Sequence, residues 1–174
     1  MADLGLNLPD FRSAERTFQL LTQVAGRAGR GEKPGRVFIQ TNNPNHHSLV
    51  TAQLQNYESF VNQEIPLRER LRQPPFLSLA SVLCISRDEN RAKDLALSLR
   101  HNLRSNGQAG VICQGPAEAP IRRIKHRFRW QVLIKASSAG LIRKVFEKSL
   151  RGPEPLICSR EENIILDIDP QHLM

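Results

Sequence analysis

Apolar residues recur along this chain in two different rhythms, and the change of rhythm divides it. From Ser13 to about Arg30, the residues Phe18, Leu21, Val24 and Ala28 return at spacings of three and four. That is the period of a helix with one apolar stripe, and Ser13 can cap its start. After a Pro/Gly turn, PGRVFIQT (Pro34–Thr41) is rich in β-formers and predicts a short strand. Asn45 can cap a second helix that carries Leu49, Tyr57, Phe60 and Val61. The charged stretch IPLRERLRQPPF, bounded by Pro66 and the Pro74–Pro75 pair, reads as a connector with a unit boundary near Pro74.

Beyond that boundary the rhythm changes. LSLASVLCIS (Leu77–Ser86) is a near-continuous apolar run, the pattern of a buried strand. Asp88 caps a helix whose stripe is Ala92, Leu95, Leu99 and Leu103, with Gly107 as its stop. GVICQ (Gly110–Gln114) predicts a short strand. FRWQVLIK alternates, with Phe128, Trp130, Val132 and Ile134 on one face and Arg129, Gln131, Leu133 and Lys135 on the other. SAGLIRKVFEKSLRG predicts a helix ended by Gly152, and NIILDIDP a last strand stopped by Pro170. The order β-α-β-β-α-β is that of a ferredoxin-like domain, and the fold class expected is α+β.

Composition narrows the partner. The 174 residues suffice for one ordinary domain, or a small domain and part of another, and 40% hydrophobic residues allow a packed core. A formal charge of +8 favours an acidic partner: nucleic acid first, then an anionic membrane or an acidic peptide. No apolar run is long enough to span a bilayer, and MADLGLNLPDF has neither the basic start nor the apolar core of a signal peptide, so the expected location is cytoplasmic. Cys84, Cys113 and Cys158 are far apart and form no C-x-x-C pair; they are read as buried reduced thiols, and no metal site is expected. His46 and His47 stand at a helix start, where solvation is the expectation rather than ligation.

The positive charge is local. Between Ile121 and Arg151 ten basic residues face one acid, Glu147, and the rest of the chain is close to neutral. Such a run can be only a solvated face. Its placement suggests more: Arg122 to Arg127 form a loop leading into the alternating strand, and Arg129 and Lys135 lie on that strand's non-Trp face. Arg122, Arg123, Lys125, Arg129 and Lys135 would then line a positive edge suited to phosphates without base readout. Trp130 shares a face with Phe128 and Val132 and reads as core, and nothing resembles the RNA-recognition signature with its stacking aromatics.

TQVAGRAGRG (Thr22–Gly31) carries the sharpest chemistry. On a helix Gln23, Arg27 and Arg30 fall on one face, while Gly26 and Gly29 each cost roughly 1 kcal/mol relative to alanine. Either this is a frayed helix end with solvated arginines, or the glycines allow close approach to a phosphate that the arginine forks hold. QVAGRAGR matches Q-x-x-G-R-x-G-R, the sixth motif of superfamily-2 helicases. The flanking LPDFRSAERTFQLLTQVAGRAGRGEKPG, then RQPPF, GPAEAPIRRIKHRFRWQVLIKA and LDIDP, resemble in order the primosomal protein N-prime family of bacterial replication-restart DNA helicases.

That resemblance covers nearly the whole chain and implies a division of labour. Residues 1–45 would be the end of the second RecA-like lobe, an incomplete α/β remnant with motif VI; 46–74 a helix and connector; and 75–174 a C-terminal α+β domain. Arg27 and Arg30 would reach the γ-phosphate of ATP as arginine fingers, and Gln23 would help bind or sense nucleotide. The C-terminal domain would engage forked and single-stranded DNA, with other primosome proteins as partners and no membrane. Arg127 and Gln131 would hold the acidic, Phe-ended tail of single-stranded DNA-binding protein. ATP, Mg²⁺ and zinc belong to the full-length family members. This chain has no G-x-x-x-x-G-K-[ST] loop, no acidic Walker-B box and no zinc-binding cysteines, so it reads as a fragment expected to hold none of them alone. Two other readings share the basic patch but leave QVAGRAGR unexplained: a non-enzymatic ferredoxin-like nucleic-acid-binding protein, and a module for acidic protein tails.

Overall fold

A computed structural model of the chain describes residues 3–28, 35–106, 108–154, 156 and 158–173. The chain divides into two units, Met1–Leu71 and Arg72–Met174.

The first unit is helical: α1 (Asp3–Leu6), α2 (Ser13–Ala28), α3 (His47–Gln53) and α4 (Tyr57–Arg70). Phe18, Ala52 and Phe60 form its buried cluster, with the Phe18 and Phe60 rings stacked at 4.5 Å. The single second helix expected from the sequence is two. The chain breaks at Gln55, whose φ is +51°, and restarts where the Asn56 side chain accepts from Ser59 N at 2.8 Å. His46, not Asn45, caps α3. Helix α4 then runs through Pro66, so half of the expected connector is helical. Proline removes one donor from a helix; here Pro66 and Asn62, whose carbonyl loses that donor, are both on the exposed side. Residues 35–41, expected as a strand, form no regular element, and Phe38 is 89% exposed. A lone strand cannot satisfy its backbone, and no other strand lies among the described residues of this unit. Val24, placed on the apolar stripe of α2, is also exposed.

The second unit is β1 (Ser78–Ser86), α5 (Glu89–Ser105), β2 (Ile112–Ile124), β3 (Arg127–Ala136), α6 (Ala139–Ser149) and β4 (Asn163–Ile168). The sheet order is β2-β3-β1-β4, and every neighbouring pair is antiparallel. Alternation decides the faces. Ala80, Val82 and Cys84 of β1 pair across β3 with Ile134, Val132 and Trp130, and their inward sides meet Leu95, Leu99 and Leu103 of α5 and Ile142 and Val145 of α6. Asp88 caps α5 as expected, accepting from Asn90 N and Arg91 N. The helix ends at Ser105, and the expected stop Gly107 lies outside the described residues.

Strand β2 is much longer than GVICQ suggested. Its continuation GPAEAPIRRI looks unlike a strand, but β2 is an edge of the sheet, where Pro116 and Pro120 are tolerated. Register shifts after Gln114 and after Glu118 accommodate the irregular sequence. Gly115, at φ +95°, is required there: a Cβ would come within 2.8 Å of the Gln131 carbonyl. Helix α6 ends at Ser149, before Gly152. Gly152 serves another purpose, because a Cβ on it would collide with the fully buried Asn102 side chain. Asn102 donates to the carbonyls of Ser149 and Glu154, each at 2.8 Å, and accepts from Glu154 N at 3.0 Å, tying the segment after α6 to α5.

Candidate nucleic-acid interface

The expected loop from Arg122 to Arg127 is a strand hairpin. Ile124 pairs with Arg127, and Lys125 and His126 form the two-residue turn, with φ of +48° and +62°. Turns with both central residues left-handed match the twist of paired strands. Lys125 is therefore at the hairpin tip, with Arg122 and Arg123 at the end of β2.

These cations are not equivalent. Arg122 is paired: its guanidinium lies 2.6 Å from Glu89 Oε1, with Glu118 at 3.7 Å, and Glu89 above all raises its pKa. Arg123 lies over the Phe128 ring, 4.8 Å from its centroid, a cation–π contact that holds the guanidinium at the surface. Phe128 thus serves the hairpin rather than the core, whereas Trp130 packs at the core's margin with the Lys93 ammonium 5.6 Å from its ring. Arg129 donates to the Ile121 carbonyl at 3.3 Å. Lys135 is at the other end of β3, roughly 20 Å from Arg129 at strand rise, and its partial burial lowers its pKa. Arg123 and Lys125 therefore gather at the hairpin end, and Lys135 does not join them.

Arg127 and Gln131 share the helix-free face of β3, roughly 13 Å apart along the strand. Gln131 donates from Nε2 to Ser81 Oγ at 2.7 Å and to the Leu173 carbonyl at 3.2 Å. The C-terminal segment crosses this face. Asp169 N donates to the Leu79 carbonyl, Leu79 N donates to Asp169 Oδ1, and the Leu173 side chain is buried. In its satisfying amide orientation, Asn163 accepts from Arg127 Nη1 at 3.1 Å. Sequence reasoning missed this strap; its signal is the apolar pair Leu173–Met174 beyond Pro170.

In the first unit Gln23 and Arg27 are exposed on one face of α2, and Arg30 lies outside the described residues. A Cβ on Gly26, which borders that face beside Gln23, would meet nothing within 4 Å. The histidines depart from expectation. His47 is largely buried and bonds Glu64 at 2.8 Å, and Arg68 bridges Glu64 and Glu15. Burial pushes the Glu64 carboxyl up, but hydrogen bonds from His47 and Arg68 outweigh it and leave its pKa lowered. Of the cysteines only Cys84 is fully buried, its thiol pushed up to about 12 by burial; Cys158 is exposed, against expectation. No group of three or more His, Cys, Asp or Glu that could hold a metal occurs among the described residues.

The family model described as primosomal protein N C-terminal domain matches residues 69–171. The chain belongs to the primosomal protein N family. That domain takes in the whole sheet and both helices of the second unit. The chain is 40% identical to the replication restart protein PriA of Bacillus subtilis (strain 168), over 99% of its own length and 22% of that protein's. It is 39% identical to the PriA of Synechocystis over 97% of its length and 20% of the relative's, and 38% identical to that of Treponema pallidum over 99% and 26%. The chain thus spans about a fifth to a quarter of these relatives. No helix among the described residues is long and apolar enough to cross a membrane.

Proposed function

We propose that this chain is the C-terminal portion of a cytoplasmic replication-restart DNA helicase, carrying one side of its ATP site and a domain that engages DNA. The observation that carries the reading is α2. Gln23 and Arg27 stand exposed on one face of α2 with the unobstructed Gly26 at its border, an arrangement that would suit one side of a contact. The first unit is read as the end of a RecA-like lobe and the second as a ferredoxin-like domain, supported by its βαββαβ connectivity and β2-β3-β1-β4 order.

The residues present fit nucleotide from one side only. Gln23 and Arg27, with Arg30 by resemblance, would meet the γ-phosphate, and bound ATP with Mg²⁺ would supply the phosphoryl group whose transfer drives unwinding. The phosphate loop and magnesium-holding acids would come from the remainder of the parent protein. Zinc does not fit here, because Cys84 is buried in the core and the three cysteines are not gathered.

In the second unit, Arg123 and Lys125 at the hairpin would contact DNA phosphates. Arg127 and Gln131 would hold the acidic tail of single-stranded DNA-binding protein, on a face where Gln131 already holds a chain carbonyl. The test is fluorescence anisotropy of this chain against labelled forked DNA, single-stranded DNA, structured RNA and an acidic Phe-ended peptide, across a salt series. Fork or single-strand preference with a steep salt slope is expected, as is peptide binding weakened about tenfold by Arg127→Ala, the loss expected from one charge-assisted contact. Preference for structured RNA, or a peptide affinity indifferent to Arg127, would defeat the corresponding half of the reading.

A further inference from the structure

A second group of cations lies outside the basic segment, on the helical layer. Helix α5 buries Leu95, Leu99 and Leu103 against the sheet, which turns Ser98, Arg100, His101 and Arg104 toward a surface cleft of about 430 Å³. Arg100 and Arg104 are one helical turn apart, a like-charge pair that weakens a helix. No ion pair found among the described residues engages Arg100, His101 or Arg104. Arg100 Nε is covered and has no hydrogen-bond acceptor. Burial pushes the Cys113 thiol up, and the charges of Arg104 and Arg100 pull against it. Glu154, the acid in the cleft's lining, has its backbone fixed by Asn102 and forms no ion pair with the arginines.

A helix C-terminus favours a cation in its last turn, which accounts for Arg104. It does not account for Arg100 a turn earlier, nor for a covered guanidinium nitrogen with nothing to bond. Two uncommitted forks one turn apart, with a hydroxyl and an imidazole beside them, suit the oxygens of a phosphate diester. We infer that Arg100 and Arg104, with Ser98 and His101, form a binding site for a backbone phosphate of DNA, separate from the β2–β3 hairpin. Glu89, which anchors the hairpin's Arg122, lies roughly 16–22 Å away along α5 by helical rise, so the two positions would grip different phosphates. The site rests on the DNA reading proposed above and gives it a second point of contact.

The experiment is a salt series of fork binding by the full chain, comparing R100Q/R104Q with the hairpin variant R123Q/K125Q. Each phosphate contact contributes close to one unit of log–log salt slope. R100Q/R104Q should lower the slope by about 1–2 and weaken binding about tenfold at moderate salt, with no change between fork sequences. S98E, which places an acid in the cleft on an intact arginine pair, should weaken binding in the same direction, and it decides the matter if the double variant fails to fold. If the chain binds the fork and only the hairpin variant loses slope, the α5 site is overturned while the DNA reading stands. If the unsubstituted chain binds no DNA, both fall together.

Discussion

The two units are held together by different means. In the second, thirteen buried residues from β1, β3, α5 and α6 share one cluster behind an antiparallel sheet, so the loss of one contact leaves many others. In the first, the buried cluster is Phe18, Ala52 and Phe60, and much of the cohesion is directional. The Phe60 ring lies between Phe18 and His47, at 4.5 and 5.6 Å, and His47 leads into the chain of bonds through Glu64 and Arg68 to Glu15. Leu20, Val24 and Phe38 remain exposed. A unit so built has little redundancy, and it is the one that presents the arginine motif.

The largest effect should come from Phe60→Ala. Truncating a buried phenylalanine costs about 3–5 kcal/mol, and here it removes the ring between two stacked partners. Amide exchange should show α2, α3 and α4 losing protection while β1, β3 and α5 keep theirs. Leu99→Ala, a loss of about 2–5 kcal/mol by the same reasoning, should weaken the second unit and leave its sheet protected. Surviving protection in the helices of Phe60→Ala would mean that the first unit has support beyond its small cluster.

Acid should separate the units next. Glu64 has its folded pKa held below the ordinary 4.5, so its contribution is present above 4.5 and is lost as pH falls through the folded value. Glu162 in the second unit is also held low, first by Arg91, but Arg91 is half exposed and the pair is screened by water. The helices of the first unit should therefore unfold ahead of the sheet as pH drops below 4.5. Glu64→Gln should destabilise the first unit by about 3 kcal/mol at neutral pH, since it leaves His47 and Arg68 without their shared carboxylate, and it should flatten that unit's acid transition. Circular dichroism across pH, beside exchange, reads both. Simultaneous unfolding of the two units would refute the contrast.

What the sequence disclosed follows the same division. The continuous run of β1, the Asp88 cap, the α5 stripe and the alternation of β3 all belong to elements whose one face is buried, so packing and local pattern agree. Where they disagree, the pattern misled. Pro66 reads as a breaker, yet Glu64 and Arg68 hold α4 from the buried side. Most of β2 is hidden by glycine and proline because an edge strand tolerates them. At the interface, residue types were legible and their commitments were not: Arg122 is tied to Glu89, thirty-three positions away, and Gln131 to Leu173, forty-two away. Arg100 and Arg104 carry no signal of their own in the sequence, because they sit on a helix whose cap and apolar stripe account for its pattern.

The smallest effect bears most directly on the motif. Glycine in a helix interior costs about 0.5–1 kcal/mol relative to alanine, and a Cβ at Gly26 meets nothing within 4 Å. Gly26→Ala should therefore stabilise the first unit of this chain by that amount, raising its melting temperature by a few degrees. Among the described residues, packing gives no reason for the glycine. If α2 faces a nucleotide held by another lobe, the methyl group would stand at the border of the Gln23–Arg27 face where close approach is needed, and the same substitution in a full-length protein of this family should depress any DNA-dependent ATP turnover it has. A variant that is more stable and turns over normally would show that the glycine serves no contact, and would remove the observation on which the arginine reading of α2 rests.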